Sequence, residues 1–83
     1  MKVNYIITDL HLEYHGETGC VHVIVEFPNG KEHTITTVWQ EEPPLWARED
    51  VDEATADADY EEWYNDSLAF AHKRGYLLEG EAN

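Results

Sequence analysis

Apolar and polar side chains alternate through the first half of the chain, a pattern typical of half-buried β-strands. The clearest case is the segment 20–27, with Val21, Val23, Val25 and Phe27 at every second position. An alternating segment precedes it and another follows it. The pattern predicts strands at about 3–14, 20–27 and 32–39, each with one face towards a shared core. In the first strand we expect the core face to carry Ile6, Leu10, Leu12 and Tyr14, with Thr8 between them.

The turn between the second and third strands sets their register. A two-residue Asn-Gly turn would place Pro28 in the ladder, where it has no N–H to donate. We therefore expect a three-residue loop in which Gly30 is the left-handed residue. The predicted pairs are Val25 with His33, Val23 with Ile35, and Val21 with Thr37. This register adds Ile35 and Trp39 to the valine face, whereas the alternative scatters apolar side chains over both faces.

The loop at residues 16–19 lets Leu12 lie opposite Val23 and Leu10 opposite Val25. The other face of this hairpin is then polar, with His11, Glu13, His15 and His22. Two or three of these side chains could bind Zn²⁺. The alternative, which we favour, is a solvated face on which Glu13 and His22 form a cross-strand pair, with no metal site.

Residues 40–50 predict an extended acidic linker, because Pro43 and Pro44 can neither donate to a ladder nor continue a helix. Leu45 and Trp46 are expected to anchor it to the core. Two interpretations of Trp46 stay open. It is either a packed lid residue or an exposed partner-binding anchor, a role in which tryptophan is enriched.

After the linker, apolar side chains that recur every three or four residues predict a helix at about 52–74. Asp50 with Glu53 is a candidate capping pair, and Thr55 is a later candidate cap. Lys73, Arg74 and then Gly75 mark the end. One apolar stripe runs along the helix and is expected to cover the valine face, since the sheet has no other lid. The stripe consists of Ala56, Tyr60, Trp63, Tyr64, Ser67, Leu68 and Ala71, with Phe70 at its edge.

These elements predict a single α+β domain over residues 1–83, with a three-stranded antiparallel β-meander packed against one C-terminal amphipathic α-helix. Residues 76–78 either tuck beneath the helix or add a short strand. Residues 79–83 are expected to be a frayed tail.

The composition narrows the classes of function. Eighteen acids oppose five Lys and Arg, so the formal charge is −13, which argues against direct binding to nucleic acid or to an anionic membrane. A single cysteine, Cys20, excludes an internal disulfide framework. Residues 1–5 lack the apolar run of a signal peptide, and no segment of about 20 apolar residues could cross a bilayer. We therefore expect a cytoplasmic protein.

Motifs for catalysis are absent. The sequence has no phosphate-binding glycine loop, nucleophile elbow, H-E-x-x-H pair or C-x-x-C pair. Ser67 lies within the apolar stripe, and nothing near Cys20 predicts a lowered thiol pKa. One layer of sheet and helix leaves little room for a cleft that would separate the pKa values of two carboxylates. We expect no enzymatic activity and no cofactor.

The charge is concentrated in one third of the chain. Segment 41–66 has eleven acids and only Arg48 as a base, whereas residues 67–83 are neutral. Asp50 to Asp66 holds eight acids. If helical, this run carries about one charge per 3 Å, close to the one phosphate per roughly 3.4 Å of a DNA strand. Asp50, Asp57 and Glu61 are expected on one side of the stripe, Asp52, Asp59 and Asp66 on the other, and Glu62 on the outer face.

Such a helix repels itself, and a partner rich in Lys and Arg would relieve that repulsion and bind faster. The leading hypothesis is an inhibitor that occupies the cationic surface of a basic nucleic-acid-binding protein or nuclease complex. In size and charge the chain is similar to phage-encoded DNA mimics and to anti-CRISPR and anti-restriction proteins. The predicted partner-binding residues are Glu41, Glu42, Trp46, Glu49, Asp50, Asp52, Glu53, Asp57, Asp59, Glu61, Glu62 and Asp66.

Other interpretations are an immunity protein against a toxic nuclease, an interaction module without mimicry, and adaptation to high salt. The interaction module would use Trp46 or Pro43-Pro44 for its main contacts. An exposed sheet edge could also pair two copies of the chain.

Overall fold

The predicted α+β fold is confirmed: a three-stranded antiparallel meander carries one long helix on one face. The computed structural model describes residues 5–81. Its elements, in chain order, are the strands β1 (Tyr5–Ile7), β2 (Asp9–His15), β3 (Cys20–Glu26) and β4 (Glu32–Trp39), a 3₁₀ helix (Leu45–Ala47), the helix α1 (Glu53–Lys73), the strand β5 (Tyr76–Leu78) and a second 3₁₀ helix (Glu79–Glu81).

The first predicted strand is divided in two at Thr8. The amide and the hydroxyl of Thr8 both donate to the Glu26 carbonyl, at 2.7 and 3.1 Å. The chain bends there, and β1 leaves the meander to pair in parallel with β5. The bend also shifts the alternation, so Ile7 is fully buried while Ile6 is exposed. The expectation that Ile6 joins the core face was therefore wrong, and residues 3–4 lie outside the described part.

The register of β2 and β3 is confirmed. Leu10 lies opposite Val25, Leu12 opposite Val23, and Glu13 opposite His22. The loop after β3 also has the predicted form. Gly30 takes a positive φ of 85°, its amide donates to the Phe27 carbonyl, and the Phe27 amide donates to Lys31.

A β-bulge at Ile35 changes the register of β4. Val25 pairs with His33 as predicted, but Ile24 pairs with Thr34 and Val23 with Thr36, which leaves Ile35 without a direct partner. Beyond the bulge, Val21 pairs with Val38 and Cys20 with Trp39.

The two remaining predicted pairs of β4, and the placing of Trp39 on the valine face, were therefore wrong. One extra residue moves every later side chain to the opposite face. Ile35 stays buried, Val38 joins the valine face, and Trp39 turns to the other face with 72% of its surface exposed.

Asp52 caps the start of α1. Its carboxylate accepts hydrogen bonds from the Thr55 amide at 3.2 Å and the Thr55 hydroxyl at 2.6 Å. The predicted caps, Asp50 with Glu53 or Thr55, were therefore wrong, because Asp52 accepts the hydrogen bond from the Thr55 amide, which has no partner within the helix. The predicted end is confirmed, with Gly75 at a φ of 90°.

The stripe of α1 covers the valine face, as predicted. Ser67 and Ala71 are buried beneath the helix. Four larger side chains of the stripe pack against the core of β2 and β3; they are Tyr60, Trp63, Tyr64 and Leu68. The Tyr60 hydroxyl accepts a hydrogen bond from the Leu12 amide at 3.3 Å, which ties α1 to β2.

Two segments are more regular than the sequence suggests. The linker predicted as extended contains the 3₁₀ helix Leu45–Ala47. Glu79–Glu81 also forms a 3₁₀ helix, where a frayed tail was expected, because Glu81 accepts hydrogen bonds from the His72 ring and the Leu78 amide. These bonds lower the pKa of the Glu81 carboxyl, that from His72 contributing most. Residues 82–83 lie outside the described part.

The cap at Asp52 predicts a pH effect on stability. The two hydrogen bonds from Thr55, that of the hydroxyl first, hold the pKa of Asp52 below its ordinary 3.8. Because the folded pKa is the lower one, the contribution of Asp52 to stability is complete above 3.8 and is lost as pH falls through the folded pKa. We expect Asp52→Ala to lower the Tm at neutral pH, and this difference from the wild type to shrink below pH 3.8.

Circular dichroism melting across this pH range measures the effect. Asp50→Ala is the matched control, because it removes a neighbouring exposed carboxylate that makes no cap. A deficit for Asp52→Ala that stays constant down to a pH of about 2 would contradict the linkage.

Candidate functional site

The predicted partner-binding acids lie on the linker and on the first two thirds of α1. We call Asp57, Asp59, Glu61, Glu62 and Asp66 the helix carboxylates. Asp59 is half-buried and the other four are exposed. The five charges span nine helical steps, or about 14 Å of axis.

The helix carboxylates form two groups on either side of the apolar stripe. Asp59, Glu62 and Asp66 lie on the side of α1 that faces β4, where all three border one groove. Helical spacing places Asp57 and Glu61 on the opposite side, one turn apart. The structure therefore brings Glu62 to the β4 side, not to the outer face expected from the sequence.

The side of α1 next to Asp57 and Glu61 is also negative. Tyr64 belongs to this side of the stripe. Burial raises the pKa of the Tyr64 phenol above 10.0, and the negative charges of Asp9 and Glu81 raise it further. The phenol therefore stays neutral at physiological pH.

The helix carboxylates have no basic partner within residues 5–81. The one ion pair there between Arg or Lys and a carboxylate joins Arg48 to Glu42 at 3.1 Å. The Arg48 side chain also donates to the Pro43 carbonyl at 2.9 Å, which holds it in the linker. No ion pair with Lys or Arg within residues 5–81 therefore neutralises the helix carboxylates.

Three of the predicted site acids have contacts that support the fold. Asp52 caps α1, and Glu42 binds Arg48. The Asp59 carboxylate accepts a hydrogen bond from the Trp46 amide at 3.2 Å, which fastens the linker to the helix. Sequence reasoning assigned all three to a partner. The Asp-x-x-Thr spacing at residues 52–55 was the one available signal for the cap.

The other predicted acids are grouped around the start of the helix. Glu41 lies just after β4, Glu49 and Asp50 lie in the turn beside Arg48, and Glu53 is the first residue of α1. All four are exposed. They extend the negative surface from α1 onto the linker.

Trp46, in the 3₁₀ helix of the linker, is half-buried against α1. Its ring meets Tyr60 edge-on at 5.3 Å and Trp63 at 6.3 Å between centroids. Its indole nitrogen is buried, with no hydrogen-bond partner among residues 5–81. These contacts are those of a packed lid residue.

The polar face of the β2–β3 hairpin, with His11, Glu13, His15 and His22, lies on the sheet surface away from α1. The His11 ring bonds to Asp9 at 3.0 Å and to Glu13 at 3.3 Å, with Glu32 at 3.7 Å. His15 stacks against His22 with ring centroids 4.3 Å apart. No group of three or more potential ligands within residues 5–81 is arranged to hold a metal ion. The contacts are those of a hydrogen-bonded polar surface.

A groove of about 380 Å³ separates α1 from β4. Val23, Thr36 and Val38 contribute from the sheet, and Trp63 and Phe70 from the helix. Sequence reasoning missed this groove, because it depends on the bulge that turns Val38 inwards.

Comparison of the chain with models of protein families, with curated proteins and with solved structures gives no match. No helix within residues 5–81 has both the length and the apolar character needed to cross a lipid bilayer.

The packing of Trp46 predicts a loss of stability when its ring is removed. We expect Trp46→Ala to lower the free energy of unfolding by about 2 kcal/mol, because a half-buried aromatic contact is lost. Trp39→Ala is the matched control, since it removes the same side chain from an exposed position and should cost under about 0.5 kcal/mol. Urea denaturation measures both, and equal costs would show that Trp46 is not part of the core.

Proposed function

We propose that this protein is a cytoplasmic inhibitor that occupies the positively charged nucleic-acid-binding surface of a partner protein. The observation that carries the proposal is the two groups of helix carboxylates, which are exposed or half-exposed and form no ion pair with Lys or Arg within residues 5–81. The proposal assigns the protein no catalytic step and no cofactor.

The spacing of the charges supports mimicry of a nucleic-acid backbone. Counted along the axis over both sides of the apolar stripe, five carboxylates over about 14 Å of helix amount to one charge per roughly 3 Å. A DNA strand carries one phosphate per about 3.4 Å of its axis. The density of negative charge on α1 is therefore similar to that of the phosphates which a DNA-binding surface contacts.

The energetics favour a basic partner. Like charges one turn apart destabilise a helix by a few tenths of a kcal/mol per pair, and Asp57 with Glu61 is such a pair. Lys and Arg side chains on a partner would relieve this repulsion and would accelerate association by electrostatic steering. Because the carboxylates are exposed, dissolved salt screens the attraction, and we expect binding to weaken steeply as ionic strength rises.

Two biological settings use the same electrostatics. The target is either a host defence or restriction nuclease, with the inhibitor encoded by a phage or mobile element, or a toxic nuclease whose gene lies beside that of this protein. The neighbouring genes distinguish these settings.

Affinity capture with DNA competition tests the proposal. The tagged full-length chain is incubated with bacterial lysate, and bound proteins are eluted with duplex DNA. We expect the eluted proteins to be nucleic-acid-binding proteins. Substitution of Asp57→Asn, Glu61→Gln and Glu62→Gln together should reduce their recovery about tenfold, equivalent to roughly 1.4 kcal/mol of binding free energy.

A charge-matched control separates a specific surface from net charge. Glu17→Gln, Glu32→Gln and Glu79→Gln remove the same number of exposed charges from positions outside segment 41–66. Both triple variants should keep the Tm of the wild type to within a few degrees. Equal losses of recovery in the two variants, or captured proteins that DNA does not release, would overturn the proposal.

A further inference from the structure

The groove between α1 and β4 combines an apolar floor with an acidic rim. Val38 and Phe70 are each 36% exposed where they border it. Asp59, Glu62 and Asp66 follow its helical side. Its volume of about 380 Å³ is enough for one or two large apolar side chains.

The bulge at Ile35 creates the floor of this groove. Without the extra residue, Thr37 and the large ring of Trp39 would face α1 from this end of β4. With it, the smaller side chains of Thr36 and Val38 face α1 instead. The sheet therefore leaves space beneath the helix, next to the outer strand.

The outer edge of β4 is available for pairing. In residues 5–81, β4 pairs with β3 alone. Its segment 34–39, Thr-Ile-Thr-Thr-Val-Trp, contains neither a charged residue nor a proline, two of the features that protect edge strands. The third such feature, a bulge, lies at Ile35, so the regular part of the edge is Thr36–Trp39. The opposite edge, β2, carries Asp9 and Glu13, and its Leu12 amide is covered by the Tyr60 hydroxyl.

We propose that an extended segment of a partner protein adds to the free edge of β4 as a fourth strand of the meander. Alternate side chains of such a strand would point to the same side as Thr36 and Val38. One large apolar side chain would enter the groove, and Lys or Arg two residues away would meet Glu62 and Asp66. Main-chain hydrogen bonds supply affinity in this mode, and the alternate side chains supply specificity.

Charge complementarity selects a basic segment as the occupant. The three rim carboxylates have no Lys or Arg within 4.0 Å in the described part of the chain. Arg74 lies over the Phe70 ring, 5.6 Å from its centre. It therefore supplies positive charge only at the Phe70 end of the groove. A second copy of this chain is less suitable, because its β4 carries Glu32 and neither Lys nor Arg, and two chains of charge −13 repel each other.

This inference goes beyond the proposed function. It requires a partner with a basic extended segment, but it does not require that the partner bind nucleic acid. It depends on the β4 side of α1, whereas mimicry of a phosphate backbone also uses Asp57 and Glu61.

Synthetic peptides test the inference directly. The probe is Thr-Lys-Thr-Leu-Thr-Lys-Thr with blocked ends, in which both Lys and the Leu share one face of a strand. A control peptide of the same composition has Leu moved by one position, and a second control has N-methyl groups on alternate amides. The readout is the change in amide NMR shifts of the full chain during titration.

We expect the probe to shift the amides of β4 and the Trp63 indole, and both control peptides to bind at least about fivefold more weakly. Equal binding of the control with the displaced Leu would show that the groove does not hold the Leu side chain. Equal binding of the N-methylated control would show that the peptide does not add to β4 as a strand. Either result would overturn the proposal. Shifts in β4 that depend on protein concentration without peptide would identify a second copy as the occupant and overturn the proposal.

Matched variants separate the groove from general electrostatics. Glu62→Gln with Asp66→Asn should weaken probe binding about fivefold, whereas Asp57→Asn with Glu61→Gln should change it less than about twofold. Val38→Arg should abolish binding, and Trp39→Arg, on the other face of the same strand, should not. Equal effects of the two double variants would contradict the inference while leaving the proposed function standing.

Discussion

The packing of one aromatic stripe of α1 on the valine face holds this small acidic chain together. A three-stranded sheet alone has one face that must be covered, and α1 is the cover. The stripe occupies the middle of the inner helix surface, so the carboxylates are confined to its two flanks. Trp46 adds a second attachment for the acidic half of α1. The helix is therefore held by apolar contacts and by the hydrogen bonds of Tyr60 and Asp59, and no Lys or Arg within residues 5–81 forms an ion pair with the helix carboxylates.

The parts of the fold that the sequence predicts are those set by local chemistry. Alternating valines, a proline before Asn29-Gly30 and the glycine at position 75 each restrict a short segment, and the structure agrees at each. The break at Thr8 and the bulge at Ile35 have another origin. The break at Thr8 accompanies pairing with a strand distant in sequence, β5, and the bulge at Ile35 depends on how β4 packs beside β3 beneath the helix. The alternation of apolar and polar residues does not by itself predict such a break or bulge.

The candidate site divides in the same way. Helical spacing places most of the helix carboxylates correctly, because a rotation of about 100° per residue is a property of any helix. The role of Asp59 in holding Trp46, and the grouping of Glu62 with Asp66 beside β4, depend on which elements pack alongside. The groove lies between segments about thirty residues apart in the sequence, so no local sequence pattern predicts it.

The parallel pairing of β1 with β5 has a consequence for biosynthesis. Tyr5 lies opposite Tyr76, so strands from the two ends of the described chain meet only after almost everything between them has been made. Because β5 is made after every other described strand, β1 has no partner strand until β5 has left the ribosome. The Tyr5–Tyr76 ring contact, at 5.3 Å, can therefore form only when translation has already passed α1.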